Sequence, residues 1–368
     1  MRNRFEPSRV QHVQGFHCRV GFQAEVRAQV DAYFAERSLS RHADVAAALE
    51  IAAWLSAALL LYVGLVSGVL PGVLVVVLGL VHAQIGFNVG HDAIHRATSR
   101  HGWVNTVLGW SFDLLGGSSY AWQRAHNVVH HTFTNVPGVD RDIDGAPFMM
   151  FYAHERVPRY YRWQHVFAFL YYPLTMLAWT FVKDFVELAR GDVGATHWRG
   201  WAGMLLGKVA HVGVYLVVPL LVYPGPWWVV VLGYLVMQLS LGLSLAVVFQ
   251  LAHVVEGTTF PRADGQGVVP GSWAEHQLYT TSNFAMESRW VTALTGGLNH
   301  QIEHHLFPKV SHTHYRALGP IVRRVAAEYG LPYHSNATFS SALASHVRTL
   351  RRFGAAPVVA TVPVAPAS

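Results

Sequence analysis

The chain has 368 residues, 52% apolar and only 13% charged, with a mean hydropathy of +0.26, whereas soluble domains carry about 25% charged residues. That balance excludes a fold whose only solvent is water. The excess of six positive charges is spread between apolar segments without a dense basic run, which argues for the positive-inside orientation of a membrane protein and against a nucleic-acid partner.

Residues 1–45 contain no apolar core followed by a small-residue cleavage site, so they are expected to form a basic, amphipathic cytoplasmic lead-in with a helix over Gln23 to Ala35. Cys18 is the only cysteine, which leaves no internal disulfide and no four-cysteine cluster; any metal must be held by nitrogen and oxygen. Ile51 to Val69 and Gly72 to Asn88 are apolar runs of about the twenty residues that cross a bilayer. Leu70-Pro71-Gly72 turns between them, making a transmembrane hairpin. Trp103 to Gly117 is apolar but too short to cross and carries Asp113, so a half-inserted segment covered by protein is expected there. Trp163 to Val182 is long enough, yet Pro173 interrupts it and Arg162, Lys183 and Asp184 flank it. A second hairpin runs from about Trp201 to Val222 and from Trp227 to about Gln250, around an uncharged Tyr223-Pro224-Gly225-Pro226 turn. Residues 310–352 read as a soluble helical cap in which His312 and His314 are surface residues. The Ala/Pro/Val-rich tail, 353–368, reads as disordered, leaving 46–352 as one membrane domain.

Three histidine clusters punctuate this pattern: His91 and His95 in HDAIH, His126, His130 and His131 in HNVVHH, and His304 and His305 in QIEHH. With 23 histidines in the chain, one HxxxH pair carries little weight; three clusters beside apolar segments carry far more, because polar groups there are costly and usually functional. On a helix, residues four apart share a face, so His91/His95 and His126/His130 can each converge on a metal. Adjacent pairs diverge by about 100° and can reach two ions. If all clusters build one site, an even number of crossings separates the second from the third. The second hairpin supplies two, so Trp163 to Val182 is expected in the interface or within protein. The fold class is then an all-α integral membrane protein: four transmembrane helices in two hairpins, with both termini cytoplasmic and a cytoplasmic helical cap carrying a histidine-rich dimetal site. Metal-bound imidazoles need partners for their other ring nitrogen. Asp92, Asn127, Asn299 and Glu303 are candidates, and Asp140, Asp142 and Asp144 serve either that role or a solvated loop.

The order HDAIH, WQRAHNVVHHTFTN, GGLNHQIEHHLFP resembles the membrane-bound fatty acid desaturases, and the glutamine opening QIEHH is similar to their front-end and bacterial acyl-CoA or acyl-lipid branch. The likeness covers roughly residues 45–335. It implies two Fe ions that use O2 and two electrons to place a cis double bond in a fatty acyl chain. Carried over by position, the ligands are His91, His95, His126, His130, His131, His304 and His305, with His253 of FQLAHVVE as the family's additional histidine. Gln301 stands where other branches have a histidine, as a weak ligand, a water-mediated contact or a hydrogen-bond donor. No GxGxxG, P-loop, CxxC or HPGG haem motif is present, so electrons are expected from a separate donor, a ferredoxin or cytochrome b5 with its reductase. Two other readings stay open: lipid hydroxylation or ketolation on the same scaffold, and a histidine-rich metal transporter, which clustering at the span ends opposes.

Overall fold

The computed structural model describes residues 15–16, 21–144, 148–154, 157–191 and 198–355. Helix dominates, as the apolar runs require. In a bilayer each backbone N–H and C=O must be satisfied within its own segment.

Among the described residues, five helices are long and apolar enough to cross a membrane: α2 (Val45–Val66), α3 (Gly72–Ile94), α7 (Arg159–Arg190), α8 (Trp198–Val222) and α9 (Trp227–His253). Length and composition do not separate α7 from the four anticipated segments. Leu59, Leu60, Val63, Leu206, Val209 and Leu221 are exposed, a belt of apolar surface that only lipid makes favourable. Asp44 caps α2, accepting from Ala47 N at 2.8 Å. The two uncharged turns adjoin, since a Cβ on Gly68 would touch Pro224. From those turns α3 and α9 run side by side, Gly79 lying against the Met237 carbonyl; α9 ends in His253, and His95 directly follows the last residue of α3.

Between the hairpins, α4 (Gly102–Gly109) and α5 (Ser111–Leu115) are two short helices. Trp103, Val107, Trp110 and Leu114 form their exposed side while Asn105 is buried, a one-sided pattern suited to lying along a membrane surface. The helix α6 (Ser119–Arg124) is capped by Ser118 and continues through a π-helical turn, Ala125–His130. The helix α7 is broken by Pro173 and packs its middle on α9, where a Cβ at Gly242 would overlap the Pro173 carbonyl.

The cap consists of α1 (Gly21–Glu36), α10 (Trp273–Thr280), α11 (Arg289–Leu294), α12 (Gln301–Leu306), α13 (Tyr315–Glu328) and α14 (Phe339–Ala355). Two short parallel strand pairs, Gly15–Phe16 with Val268–Val269 and Asn283–Phe284 with Ser335–Asn336, tie its loops. Phe22 and Val26 of α1 pack with Leu278, Ile302 and Val322, matching the helix anticipated there. Of the anticipated tail, 353–355 are the end of α14, and the remainder lies outside the described residues.

His346 pins α14 to the membrane helices. Its Nδ1–H donates to the Val254 carbonyl at 2.7 Å and its Nε2 accepts from the Tyr172 hydroxyl at 2.7 Å. Burial lowers its pKa to about 4, opposed only in part by the Val254 bond. A depressed histidine favours the folded state fully above its ordinary value of about 6.5 and loses that contribution as pH falls toward the folded value. Thermal unfolding of the wild type against His346→Gln should therefore show a stability difference that shrinks by about 2 kcal/mol between about pH 7.5 and about pH 5. A difference independent of pH would contradict this pairing.

Candidate metal centre

The eight histidines singled out from sequence meet at one end of the α3–α9 pair. Their rings are buried, with His304 and His305 fully enclosed. One set, His91, His95, His126 and His304, places a nitrogen of each within 4.8 Å of the others; a second set is His130, His253 and His305, and His131 joins His304 and His305. The adjacent pair His304–His305 divides between the sets with its rings at 89°, as helical geometry dictates. The pair His126–His130 also divides, although the two share a further grouping with Asp142. A π-helical turn runs through both, and another through Ile85–His91. The rings of His126 and His130 nevertheless stack on one face, their centroids 5.1 Å apart at 15°, as the four-residue spacing leads one to expect, and π-helical turns cluster at functional sites.

The ring nitrogens divide into held and free. His130 Nδ1 bonds Asp140 Oδ2 at 3.0 Å, His304 Nδ1 bonds the Tyr315 hydroxyl at 3.1 Å, and His305 Nδ1 bonds Gln277 Oε1 at 2.9 Å. Their Nε2 atoms are buried without partners, as are Nε2 of His95, Nδ1 of His126 and His131, and both nitrogens of His91. His126 and His131 face each other Nε2 to Nε2 at 3.2 Å. Orphaned buried nitrogens cost free energy unless something accepts their lone pairs, and so many converging in two sets fit two metal ions. His253 is different: its nitrogens reach the Thr280 carbonyl at 3.4 Å and Gln301 at 3.1 Å.

Burial, reinforced by neighbouring imidazoles, holds His95, His126, His131, His304 and His305 well below the ordinary imidazole pKa. The neutral ring is the form that binds metal. Burial also lowers His130, but the Asp140 and Asp142 carboxylates outweigh it and the net shift is upward.

The anticipated partners are placed unevenly. Gln301 contacts His253, and Asp92 lies 4.0 Å from His91 Nδ1. Asn127 donates to the Ile94 carbonyl at 3.0 Å, and Asn299 to Thr292 Oγ1 at 3.1 Å, neither to a clustered ring. Glu303 accepts from Asn283 and Tyr333 at 2.8 Å each, and burial pushes its pKa to about 7. His300 is buried with neither nitrogen hydrogen-bonded, its Nδ1 4.0 Å from Glu303 Oε2, and stands outside both sets. His312, expected on the surface, is buried against Asp92 because the turn after α12 folds back over α3.

Sequence reasoning passed over Thr134, Asn135, Gln277, Thr280 and Tyr315. Asn135 takes the left-handed conformation (φ 58°) and donates to the carbonyls of His253, Thr259 and Thr280, joining the second motif to the end of α9. The signal was local: Thr134-Asn135 follow HHTF directly, and Asn tolerates that backbone better than most residues. Gln277 and Tyr315 carry no comparable mark.

Trp122 stacks on His126 (4.0 Å, 14°) and Phe112 on Trp122 (4.6 Å, 20°), with Ile94, Trp179 and Phe249 around them. This apolar wall excludes water beside the first set and suits a hydrocarbon.

A family model described as Fatty acid desaturase matches residues 67–337. The sn-1 linoleoyl-lipid 6-desaturase of Synechocystis sp. is 34% identical over 347 residues, covering 91% of this chain and 96% of the relative. The enzyme of the same description from Arthrospira platensis is 34% identical over 272 residues, 73% of each chain. An acyl-lipid (8-3)-desaturase of Physcomitrium patens is 35% identical over 273 residues, 72% of this chain and 56% of the relative.

Proposed function

This chain belongs to the fatty acid desaturase family, and from that premise we propose that it desaturates a lipid-linked acyl chain at a centre of two iron ions. It is a membrane oxidoreductase acting on fatty acyl chains. The observation that carries the iron reading is the convergence of buried histidines in two sets at one end of the spans, all but His253 with a ring nitrogen that has no hydrogen-bond partner.

His91, His95, His126 and His304 would hold one ion, His130, His253 and His305 the other, with His131 between them. The chemistry supplied at such a centre, once loaded, is reduction of O2 coupled to removal of two hydrogens from the chain. The protein contributes by keeping His95, His126, His131, His304 and His305 neutral through burial, by fixing ring tautomers through Asp140, Gln277 and Tyr315, and by walling the site with Trp122 and Phe112. Electrons come from a separate ferredoxin or cytochrome b5 with its reductase. Relatives named for linoleoyl-lipid and (8-3) activity favour a glycerolipid substrate, already unsaturated, with the new double bond toward the carboxyl end.

Expression in a host of defined lipids supplied with linoleate should yield a product about two mass units lighter than its precursor, made only when a donor and reductase are present. A product about sixteen units heavier would instead establish hydroxylation.

Four crossings with the metal site and both termini cytoplasmic complete the reading. What supports it is the path of α7. Its start lies against the cap, Gln164 donating to the Leu350 carbonyl at 2.7 Å; its middle reaches Gly242 within α9. Its end returns to the histidine side, Leu188 packing on Ala121 of α6 and Met204 near the start of α8. A segment that enters and leaves by one face does not cross. A reporter fused after Gly191 should therefore be cytoplasmic, and an extracytoplasmic signal would refute the count.

A further inference from the structure

We propose that the turn Ser311–Tyr315 is a positioning clamp for one half of the metal centre, in which Tyr315 orients His304 and His312 immobilises Asp92 beside His91. The proposal rests on the two-metal reading and adds residues outside the histidine motifs.

Two contacts from one short turn carry it. The Tyr315 hydroxyl lies 3.1 Å from His304 Nδ1, so the ring's Nδ1–H has an acceptor and Nε2 is left free for metal. Tyr315 is itself buried, packed with Val30, Phe34 and Leu318, so its hydroxyl cannot swing away. Three residues earlier, one oxygen of Asp92 accepts three hydrogen bonds: His312 Nδ1 at 2.8 Å, His312 N at 3.1 Å and Ser311 Oγ at 3.1 Å. Its other oxygen lies 4.0 Å from His91 Nδ1. That is too long for a hydrogen bond but close enough for a fixed negative charge to favour a ring bound to a cation. The turn is anchored in turn by Ser311 N to the Arg41 carbonyl, 2.8 Å.

The clamp is one-sided. His91 and His304 belong to the same four-histidine set, whereas the His130–His253–His305 set is braced by Asp140, Thr280 and Gln277. Loosening the turn should therefore weaken one ion and spare the other. Partners of this kind are worth about 10- to 100-fold in metal affinity.

The test is chelator titration of iron-loaded, full-length protein in detergent, with ferrozine as the probe and residual iron measured by elemental analysis. Tyr315→Phe, which removes one oxygen and keeps the ring, and His312→Ala should each release one of two irons at about 10- to 100-fold lower ferrozine. The second iron should leave as in wild type. His312→Asn, which keeps a donor near the Nδ1 position, should recover much of the loss. Release of both irons together, wild-type release, or a lowered unfolding midpoint with unchanged iron retention would overturn the clamp and leave the turn a packing element. A wild-type protein that retains no iron would overturn the metal-centre reading itself, and the clamp with it.

Discussion

A His305→Ala variant is expected to reach the membrane at wild-type level yet form less than about one hundredth of the wild-type unsaturated product. Removal of a residue that merely supports a metal ligand costs about 10- to 100-fold, and loss of the ligand itself exceeds that. His305 is fully buried, its Nδ1 is occupied by Gln277 at 2.9 Å, and its Nε2 is free toward His130 and His253. Alanine leaves a three-histidine set with two members. Fatty acid profiling paired with iron analysis reads both consequences: product should vanish and about one iron of two should be missing. Substantial product from a variant with wild-type iron content would show that His305 is not a ligand.

The second large effect is on stability. Lys208 is buried within α8 and donates to Asp184 Oδ2 at 2.5 Å, the Gly116 carbonyl at 2.7 Å and the Trp179 carbonyl at 3.3 Å. It thereby ties α8, the broken helix α7 and the turn before α6 at a single point. Gly116 is required there: its φ is 105°, and a Cβ would press on Thr180 and His211. Lys208→Met strands the Asp184 carboxylate, whose remaining donor is Trp179 Nε1 at 2.8 Å. Breaking a buried pair from one side costs about 3–5 kcal/mol, while replacing both members by neutral groups is often nearly neutral. The single variant should unfold in detergent at markedly lower temperature, and Lys208→Met with Asp184→Asn should recover most of the loss. A wild-type midpoint for the single variant would remove the pair from the stability of the fold.

Much of the site was legible because its constraints are local. HxxxH and HH spacings beside apolar runs mark His91, His95, His126, His130, His131, His304 and His305 without knowledge of the fold, since a bilayer makes polar residues at such places expensive. The apolar runs of α2, α3, α8 and α9 were equally plain. The broken helix α7 was not, because its length permits a crossing and only its contacts with α6 and α14 reveal where its two ends lie.

What the amino-acid sequence determined alone is thus the chemistry: a membrane chain, too poor in cysteine for sulfur ligation, with imidazoles enough for two metals. Tertiary structure decided the division of labour among those imidazoles. His126 and His130 keep a common face, their rings stacked at 15°, yet the neighbours that surround them differ, His91, His95 and His304 about the first and His253 and His305 about the second. His312 came to Asp92 because the turn after α12 folds back onto the end of α3, while Tyr315 and Gln277 reach His304 and His305 because α13 and α10 pack around α12 within the cap. Those contacts join residues up to 220 positions apart. Helical periodicity registers neighbours one turn away, so no pattern along the chain could announce them.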